Sequence, residues 1–169
     1  MPSFCVHDGS RPVQVGRYSI FPGGSHHMRS ISHFWGFDLI VPLDKSYREV
    51  IPRSSIPVIP GIIEDFQPPP AGFKRFLEDT IIPELQCERR VLVFCLGGHG
   101  RTGTVLAGLI ALLEPDVEDP VNEIRNRYCA SAVETREQAE WVFALRGQKL
   151  PKHWYGIRSV PIRRRIVRL

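Results

Sequence analysis

The chain has 169 residues, of which 43% are apolar and 24% charged, proportions ordinary for a soluble globular protein. This length favours one domain with a substantial core, and no apolar run reaches the roughly 18 residues that a membrane span requires. The N-terminus lacks the apolar segment of a secretory signal peptide. The net charge of +4 comes from residues 150–169, which hold basic but no acidic side chains, so the basicity belongs to the tail and not to the fold.

The first half of the chain alternates apolar extended segments with turns. Residues 13–21 are predicted to form a strand that ends in a Pro-Gly-Gly turn at 22–24. A second, buried strand is predicted over 37–43, followed by a solvated turn or short helix at 44–49. Residues 57–63 are extended and apolar, and they predict a third strand made irregular by its prolines.

A proline-rich loop, one short strand and four helices follow. Residues 64–70 cannot be helical, because each residue before a proline is pushed out of the α region. A short apolar run within 90–95 predicts a buried strand. The first predicted helix begins at about Ala71, and Pro83 should kink or end it. The other three run from Arg101 to Leu113, from Pro120 to Tyr128 after an Asp119 N-cap, and from a Thr135–Gln138 capping box to Arg146.

This order of elements predicts an α/β fold in a single domain over residues 1–169. A central, mostly parallel sheet of four to five strands should be flanked by helices. The helix over 101–113 is apolar nearly all round, so we expect it to be buried at the centre. Apolar side chains in residues 150–169 favour docking of this basic segment on the domain. A basic arm for acidic or nucleic-acid partners and a disordered end are the alternatives.

The segment from Arg90 to Thr104 carries the chemistry. An apolar strand ends at Cys95, a glycine-rich turn follows, and a helix begins near Arg101. Such a unit forms an anion cradle, because backbone N–H groups face inward and the helix dipole favours negative charge. The same field favours the thiolate over the thiol, so we expect Cys95 to be ionised near neutral pH.

This arrangement suits hydrolysis of phosphate esters by a thiolate. Cys95 is predicted to attack phosphorus and form a cysteinyl-phosphate intermediate. The planar fork of the Arg101 guanidinium is predicted to clamp two phosphate oxygens at once. The Thr102 hydroxyl is predicted to donate to the cysteine sulfur and to stabilise it as thiolate and leaving group. The main-chain amides predicted to bind the non-bridging oxygens are those of Leu96, Gly97, Gly98, His99, Gly100 and Arg101.

Residues 95–103 resemble the C-x5-R-[S/T] signature of the cysteine-dependent protein tyrosine phosphatases, in particular of their dual-specificity branch. In that family the general acid is an aspartate on a loop roughly thirty residues before the cysteine. Asp65 lies thirty residues before Cys95, in a segment similar to the Asp-Phe-x-x-Pro form of that loop. The resemblance implies that Asp65 protonates the leaving oxygen and later activates water. Glu64 is the close rival.

Two further features bear on the resemblance. Residues 132–138 resemble the family segment in which a glutamine places the hydrolytic water, which implies that role for Gln138. A capping-box role alone is the alternative. Phe94 stands where the family usually has a histidine that helps to order the loop, and this motivates a different hypothesis, a phosphate-binding module without turnover.

The expected function is a cysteine-dependent phosphatase that acts on phosphotyrosine and also on phosphoserine or phosphothreonine. The chemistry needs no metal or other cofactor and should resist EDTA. The basic tail and His99, at the pocket rim, motivate two alternatives with the same chemistry, an RNA 5′-phosphatase and an inositol-phosphate or phosphoinositide phosphatase. The adjacent His26 and His27 do not predict a metal site, because neighbours on a loop rarely converge alone.

The cysteines indicate the cellular compartment, and the expected substrate indicates the partner. Cys5, Cys87, Cys95 and Cys129 show no CxxC spacing, which favours a reduced compartment, the cytoplasm or the nucleus. Cys5, Cys87 and Cys129 are expected to be structural, and a reversible disulfide that protects Cys95 is the alternative. The expected partner is a phosphorylated protein, and the sequence predicts no oligomeric state.

Overall fold

A four-stranded sheet forms the centre of the molecule in the computed structural model, which describes residues 5–28, 34, 36–51 and 55–159. The strand order is β1-β2-β4-β3, with β1 pairing antiparallel to β2, and with β2 and β3 both pairing parallel to β4. The predicted α/β fold with a mostly parallel sheet is confirmed. The strands are β1 (Val13–Val15), β2 (Tyr18–Gly24), β3 (Leu39–Pro42) and β4 (Val91–Cys95).

The N-terminal edge of the sheet is a hairpin, so the prediction of one strand over 13–21 is wrong. Gly16 and Arg17 form a two-residue connection between β1 and β2, and Gly16 has a φ of +60°. A tight hairpin turn requires this left-handed region, which glycine enters without strain. The turn predicted at 22–24 is instead the last part of β2. Pro22 lies beyond the residues of β2 that pair with β1, so its missing N–H costs no hydrogen bond of that ladder.

The third predicted strand, residues 57–63, is not a strand of the sheet. It runs beside β3 and makes one isolated parallel bridge, between Ile40 and Val58. Its prolines cannot donate hydrogen bonds, which prevents a continuous ladder. The remaining amides still fix its course, since those of Ile59, Gly61 and Ile63 donate to the main-chain oxygens of Ile40, Pro42 and Leu43. The segment therefore delivers the loop that carries Asp65 to the end of β3.

Most of the helices lie where the sequence predicts them. Their bounds are α1 (Tyr47–Val50), α2 (Phe73–Phe76), α3 (Ile82–Gln86), α4 (Gly100–Leu113), α5 (Pro120–Arg127) and α6 (Arg136–Ala144). The Asp119 N-cap is confirmed, because its side chain accepts a hydrogen bond from the amide of Asn122. The capping box at Thr135 and Gln138 is confirmed as well. Pro83, expected to kink or end the first helix, does not end it. It lies in the first turn of α3, where its missing N–H is tolerated, after a π-helical stretch over Leu77–Ile81.

The sheet is covered on both faces. Along β4 the side chains alternate, with Val91, Val93 and Cys95 in the core cluster that includes α4, and Leu92 and Phe94 in a second cluster. The predicted burial of the helix over 101–113 is confirmed, because α4 is buried from Gly100 to Ala111. Cys95 consequently faces the same side of the sheet as the start of α4.

The beginning of the basic tail packs on the domain. Leu150 and Trp154 are buried, and the indole N–H of Trp154 donates to Asp119 Oδ2 at 2.9 Å. The amide of Arg136 donates to the main-chain oxygen of Arg158 at 2.8 Å. The predictions for residues 160–169, which include the arginine run, fall outside the described residues. Within the described ranges, no helix has the length and apolar character needed to cross a membrane.

Candidate active site

Cys95 lies at the start of the loop over residues 95–101, called the phosphate loop below. The loop is anchored to the end of β2, because the amides of Ser25 and His26 donate to the main-chain oxygens of Cys95 (2.8 Å) and Leu96 (3.1 Å). The amide of Gly98 donates to Cys95 Sγ at 3.2 Å. This contact places a backbone N–H against the sulfur, as expected of a loop that stabilises negative charge there.

Two glycines of the loop are required by what lies next to them. Gly98 has a φ of +80°, and a Cβ at this position would lie 2.8 Å from Cβ of His7. A Cβ on Gly100 would lie 2.0 Å from Oε2 of Glu134. The loop is therefore enclosed by the N-terminal segment at Gly98 and by a carboxylate at Gly100.

Thr102 does not make its predicted contact with the sulfur. Its hydroxyl donates instead to the main-chain oxygen of Gly23 at 3.3 Å, and the side chain is fully buried. The last residues of β2 lie beside the start of α4, and a buried carbonyl there needs a donor. Thr102 thus ties α4 to the sheet, and its stabilisation of the thiolate stays a prediction.

Arg101 is held between two carboxylates from different loops. Its side chain is 6% exposed, with Nη1 at 2.6 Å from Asp44 Oδ2 and Nη2 at 3.2 Å from Asp65 Oδ1. The contact with Asp65 brings together two residues that the sequence placed in one site. Asp44 was missed, although it follows β3 and parallel strands present their carboxyl ends at one edge of a sheet.

The ionised form of Asp44 is stabilised by its partners. Burial opposes ionisation, but hydrogen bonds from the Ser46 side chain and backbone, and then from Arg101, outweigh it and lower the pKa of Asp44. A permanent anion at Asp44 gives the Arg101 side chain a fixed position from which Nη2 can reach into the pocket.

The loop that carries Asp65 is tied to the start of α6. Phe66 has a φ of +58°, and its main-chain oxygen accepts from the Thr135 hydroxyl at 3.1 Å. The next carbonyl, of Gln67, accepts from Gln138 Nε2 at 3.3 Å. The Asp65 side chain itself is 58% exposed at the pocket mouth. Its rival Glu64 pairs with Lys45 and does not line the pocket.

Gln138 is fully buried and both ends of its amide have backbone partners. Its Oε1 accepts from the amides of Glu134 (2.9 Å) and Thr135 (3.3 Å), while Nε2 donates to Gln67. These contacts give Gln138 a capping role and a positioning role on the loop of Asp65. Placement of the hydrolytic water by Gln138 stays a prediction.

Glu134 is a second carboxylate at the pocket that the sequence did not single out. Burial raises its pKa, and the negative charge of Asp65 adds to this effect against the opposing charges of Arg101 and Arg158. Its place in the segment resembling the water-placing region of the family was the available signal. The pocket is therefore lined by two carboxyl groups, the exposed Asp65 and the more buried Glu134.

The pocket is a small cavity of about 170 Å³. Among its described lining residues Arg101 is the one lysine or arginine, against the two carboxylates of Asp65 and Glu134. Burial, and then the proximity of His27, lowers the pKa of His99, so this imidazole adds no positive charge near neutral pH. The lining residues are His26, Asp65, Phe66, Cys95, Leu96, Gly97, His99, Gly100, Arg101 and Glu134.

Phe94 has a packing role that explains its departure from the family pattern. The side chain is fully buried in the second core cluster, with its ring 6.1 Å from that of Phe34. The loop is ordered from elsewhere, since the Tyr128 hydroxyl donates to the main-chain oxygen of Gly98 at 2.5 Å.

Comparison with known proteins agrees with this geometry. A family model described as a Swiss Army Knife protein with a DSP-PTPase phosphatase domain matches residues 31–153. The chain belongs to this phosphatase family. Two uncharacterised proteins of Methanocaldococcus jannaschii are similar to the phosphatase along most of their length. One is 35% identical over 82% of this chain and 86% of its own, and the other is 41% identical over 82% and 92%.

Solved phosphatase structures share the fold. Tk-PTP in its active form superposes with a TM-score of 0.62 at 23% identity, over 80% of this chain and 96% of that one. Kinase associated phosphatase with its catalytic-site cysteine replaced by serine gives 0.63 at 14% identity, over 81% and 96%. PTPMT1 in complex with PI(5)P gives 0.59 at 10% identity, over 75% and 88%. At these identities the likeness establishes the fold.

Proposed function

We propose that this phosphatase hydrolyses phosphotyrosine in proteins, and phosphoserine or phosphothreonine as well, through a phosphocysteine at Cys95. The observation that carries the proposal is the joint placement of three groups in one small pocket. Cys95 Sγ accepts a hydrogen bond from the amide of Gly98, and Arg101 lines the same pocket with its Nη2 at 3.2 Å from Asp65 Oδ1. A sulfur nucleophile, an oxygen clamp and an acid are the groups that thiolate-based phosphoryl transfer requires.

The first step transfers the phosphoryl group to sulfur. The Cys95 thiolate forms an S–P bond while the P–O bond to the leaving group breaks, and Asp65 supplies the proton that the leaving oxygen takes up. A phosphate dianion on Arg101 Nη2 would replace Asp65, which is bound there at 3.2 Å. Substrate binding would thereby release the acid from the guanidinium, so that it faces the leaving oxygen.

The second step regenerates the thiolate. Water attacks the phosphocysteine, Asp65 accepts a proton from it, and the S–P bond breaks to give inorganic phosphate. Thr135 and Gln138 donate to the main-chain oxygens of Phe66 and Gln67, which keeps the loop of Asp65 in place for both steps.

The charges around the pocket favour a phosphomonoester on a protein over a multiply phosphorylated ligand. Two carboxylates and one guanidinium line the described part of the pocket, and His99 adds no positive charge. Additional phosphates beside Asp65 and Glu134 would be repelled. A phosphate on a tyrosine, serine or threonine carries no such neighbours.

A substrate panel tests this assignment. Rates are compared on phosphotyrosine, phosphoserine and phosphothreonine peptides, on RNA with a 5′-triphosphate and on a phosphoinositide, with Cys95→Ser assayed alongside as the background. The phosphotyrosine peptide is expected to give the highest kcat/KM, followed by the other two peptides. A higher kcat/KM on the RNA or on the phosphoinositide would overturn the protein substrate. Loss of activity on RNA alone after removal of residues 160–169 would favour the RNA alternative.

We also assign the enzyme to a reducing compartment such as the cytoplasm, since a thiolate mechanism requires reduced sulfur.

Asp65→Asn is expected to lower kcat on phenyl phosphate by roughly 100-fold or more, because an amide cannot donate the proton that the phenoxide requires. The loss should be smaller on an aryl phosphate with a more acidic phenol, which leaves without help. Steady-state kinetics on a series of aryl phosphates measures this dependence.

Glu134→Gln provides the matched comparison, because Glu134 is the other carboxyl in the pocket. Its effect should not depend on the acidity of the leaving phenol. If Glu134→Gln rather than Asp65→Asn showed that dependence, the general acid would be Glu134.

A further inference from the structure

Four side chains of metal-ligating type meet behind the phosphate loop. They come from the N-terminal segment, from the loop itself and from the residues after α5. His7 Nε2 lies 3.3 Å from His99 Nδ1, and His99 Nδ1 lies 3.3 Å from Cys129 Sγ. Cys5 Sγ lies 3.3 Å from Cys129 Sγ. The four candidate ligand atoms all fall within 4.8 Å of one another.

These distances suit a tetrahedral ion. Zinc bonds of about 2.3 Å to sulfur and about 2.0–2.1 Å to nitrogen place neighbouring ligand atoms about 3.3–3.8 Å apart. The separation of 3.3 Å between Cys5 Sγ and Cys129 Sγ is well beyond the roughly 2.05 Å of a disulfide bond. The pair is thus arranged as two thiols and not as a disulfide.

The chemistry of the donor set also favours zinc. Two cysteine sulfurs and two imidazole nitrogens form one of the common structural zinc sets, Cys₂His₂. Binding would displace one proton from each thiol, and two thiolates would balance the charge of Zn²⁺. Such a neutral complex suits this position, because His7 and Cys129 are buried.

We propose that Cys5, His7, His99 and Cys129 form a structural zinc site that holds the phosphate loop from behind. The proposal goes beyond the phosphatase function and does not depend on it. All four coordination positions are filled by protein, so the ion would have no open position for substrate or water, and phosphoryl transfer would not pass through it. His99 would contribute its backbone amide to the loop and its side chain to the metal.

The surroundings explain what the site would do. His7 is already fixed to the end of β2, since its main-chain oxygen accepts from the amide of Gly24 at 2.8 Å. Its ring lies 4.6 Å from that of Tyr128, whose hydroxyl bonds to Gly98 in the loop. Coordination of one ion by both His7 and His99 would connect the N-terminal segment directly to the phosphate loop. It would also close a chain loop of 124 residues between Cys5 and Cys129, which restricts the unfolded state.

Metal analysis of the full chain tests the site. The protein is purified under reducing conditions without a polyhistidine tag, and zinc is measured by mass spectrometry alongside protein concentration. Wild type is expected to hold one zinc per chain, and the Cys5→Ser/Cys129→Ser double variant close to none. Cys87→Ser is the matched control, because Cys87 is an exposed cysteine outside the cluster, and it should keep its zinc.

A spectroscopic arm covers the case in which the double variant does not fold. Wild type is stripped with a chelator, and Co²⁺ is added back. One equivalent should produce the visible bands of tetrahedral cobalt with thiolate ligands, and should raise the thermal unfolding temperature. Absence of these bands in reduced wild type, equal zinc in the double variant, or a Cys5–Cys129 disulfide in protein isolated anaerobically would each overturn the site. Phosphatase rates are not part of these readouts, so failure of the zinc site and failure of the proposed function are distinguishable.

Discussion

Replacement of Cys95 by serine is expected to reduce hydrolysis of an aryl phosphate by roughly 10³-fold or more, to the background rate. A serine hydroxyl is not ionised near neutral pH, so the attack on phosphorus loses its nucleophile. The loop amides and Arg101 remain, because the change alters one atom of a side chain that is only 3% exposed. The variant should therefore still bind a phosphotyrosine peptide, with a Kd close to the KM of wild type where binding precedes slow chemistry. Steady-state rates and isothermal titration measure the two effects.

Cys87→Ser is the control for general effects of cysteine loss, since Cys87 is exposed. It should retain the wild-type rate. Turnover by Cys95→Ser at a substantial fraction of the wild-type rate would mean that water attacks phosphorus directly. Loss of both binding and turnover, with an unchanged unfolding temperature, would mean that the sulfur contributes to binding rather than to attack.

Replacement of Arg101 by lysine is expected to lower kcat/KM on the same substrate by roughly 10²–10³-fold. An ammonium group is a point charge and cannot hold two phosphate oxygens in a planar fork, and removal of one preorganised donor to a transition-state oxygen typically costs this much. Lysine retains a positive charge beside the partly buried carboxylate of Asp44, which lies 2.6 Å from Arg101 Nη1 in the native structure. The variant therefore separates loss of the fork from loss of the ion pair.

Arg89→Lys is the matched control, because Arg89 pairs with Glu84 at the surface and does not line the pocket. Its kinetics should equal those of wild type. Comparison of unfolding temperatures shows whether Arg101→Lys is folded under assay conditions. A folded Arg101→Lys enzyme with undiminished kcat/KM would contradict the assignment of the phosphate oxygens to this guanidinium.

The parts of the site that lie within one stretch of sequence were predictable. One local unit contains the strand over 91–95, the glycine turn and the helix from Gly100. Its residue types indicate both its secondary structure and its chemistry. Asp65 was found through the resemblance to the phosphatase family, which implies an acid at this distance from Cys95, and the structure brings it to Arg101. The helix caps at Asp119 and Thr135 were equally local, since a cap depends on side chains within one turn.

The parts that depend on contacts between distant segments were not predictable from local patterns. Asp44 reaches Arg101 across 57 residues, and the contact exists because β3 ends at the same edge of the sheet as β4. The Thr102 hydroxyl was predicted to bond to its neighbour in the loop, whereas packing of α4 on β2 presents it with the oxygen of Gly23. The cluster of Cys5, His7, His99 and Cys129 has no CxxC spacing to reveal it, because its side chains come from three separate segments of the chain.

Trapping of the covalent intermediate shows whether phosphoryl transfer passes through Cys95. Wild-type enzyme is mixed with excess aryl phosphate, quenched in acid within the first turnovers, digested, and analysed by mass spectrometry. One phosphoryl group is expected on the peptide that contains Cys95, and none on the corresponding peptide of Cys95→Ser. The signal should be larger in Asp65→Asn with an acidic phenol as leaving group, because that variant lacks the base for the hydrolytic step. Efficient turnover with no phosphoryl group on Cys95, or with the group on another residue, would show that phosphoryl transfer does not pass through Cys95.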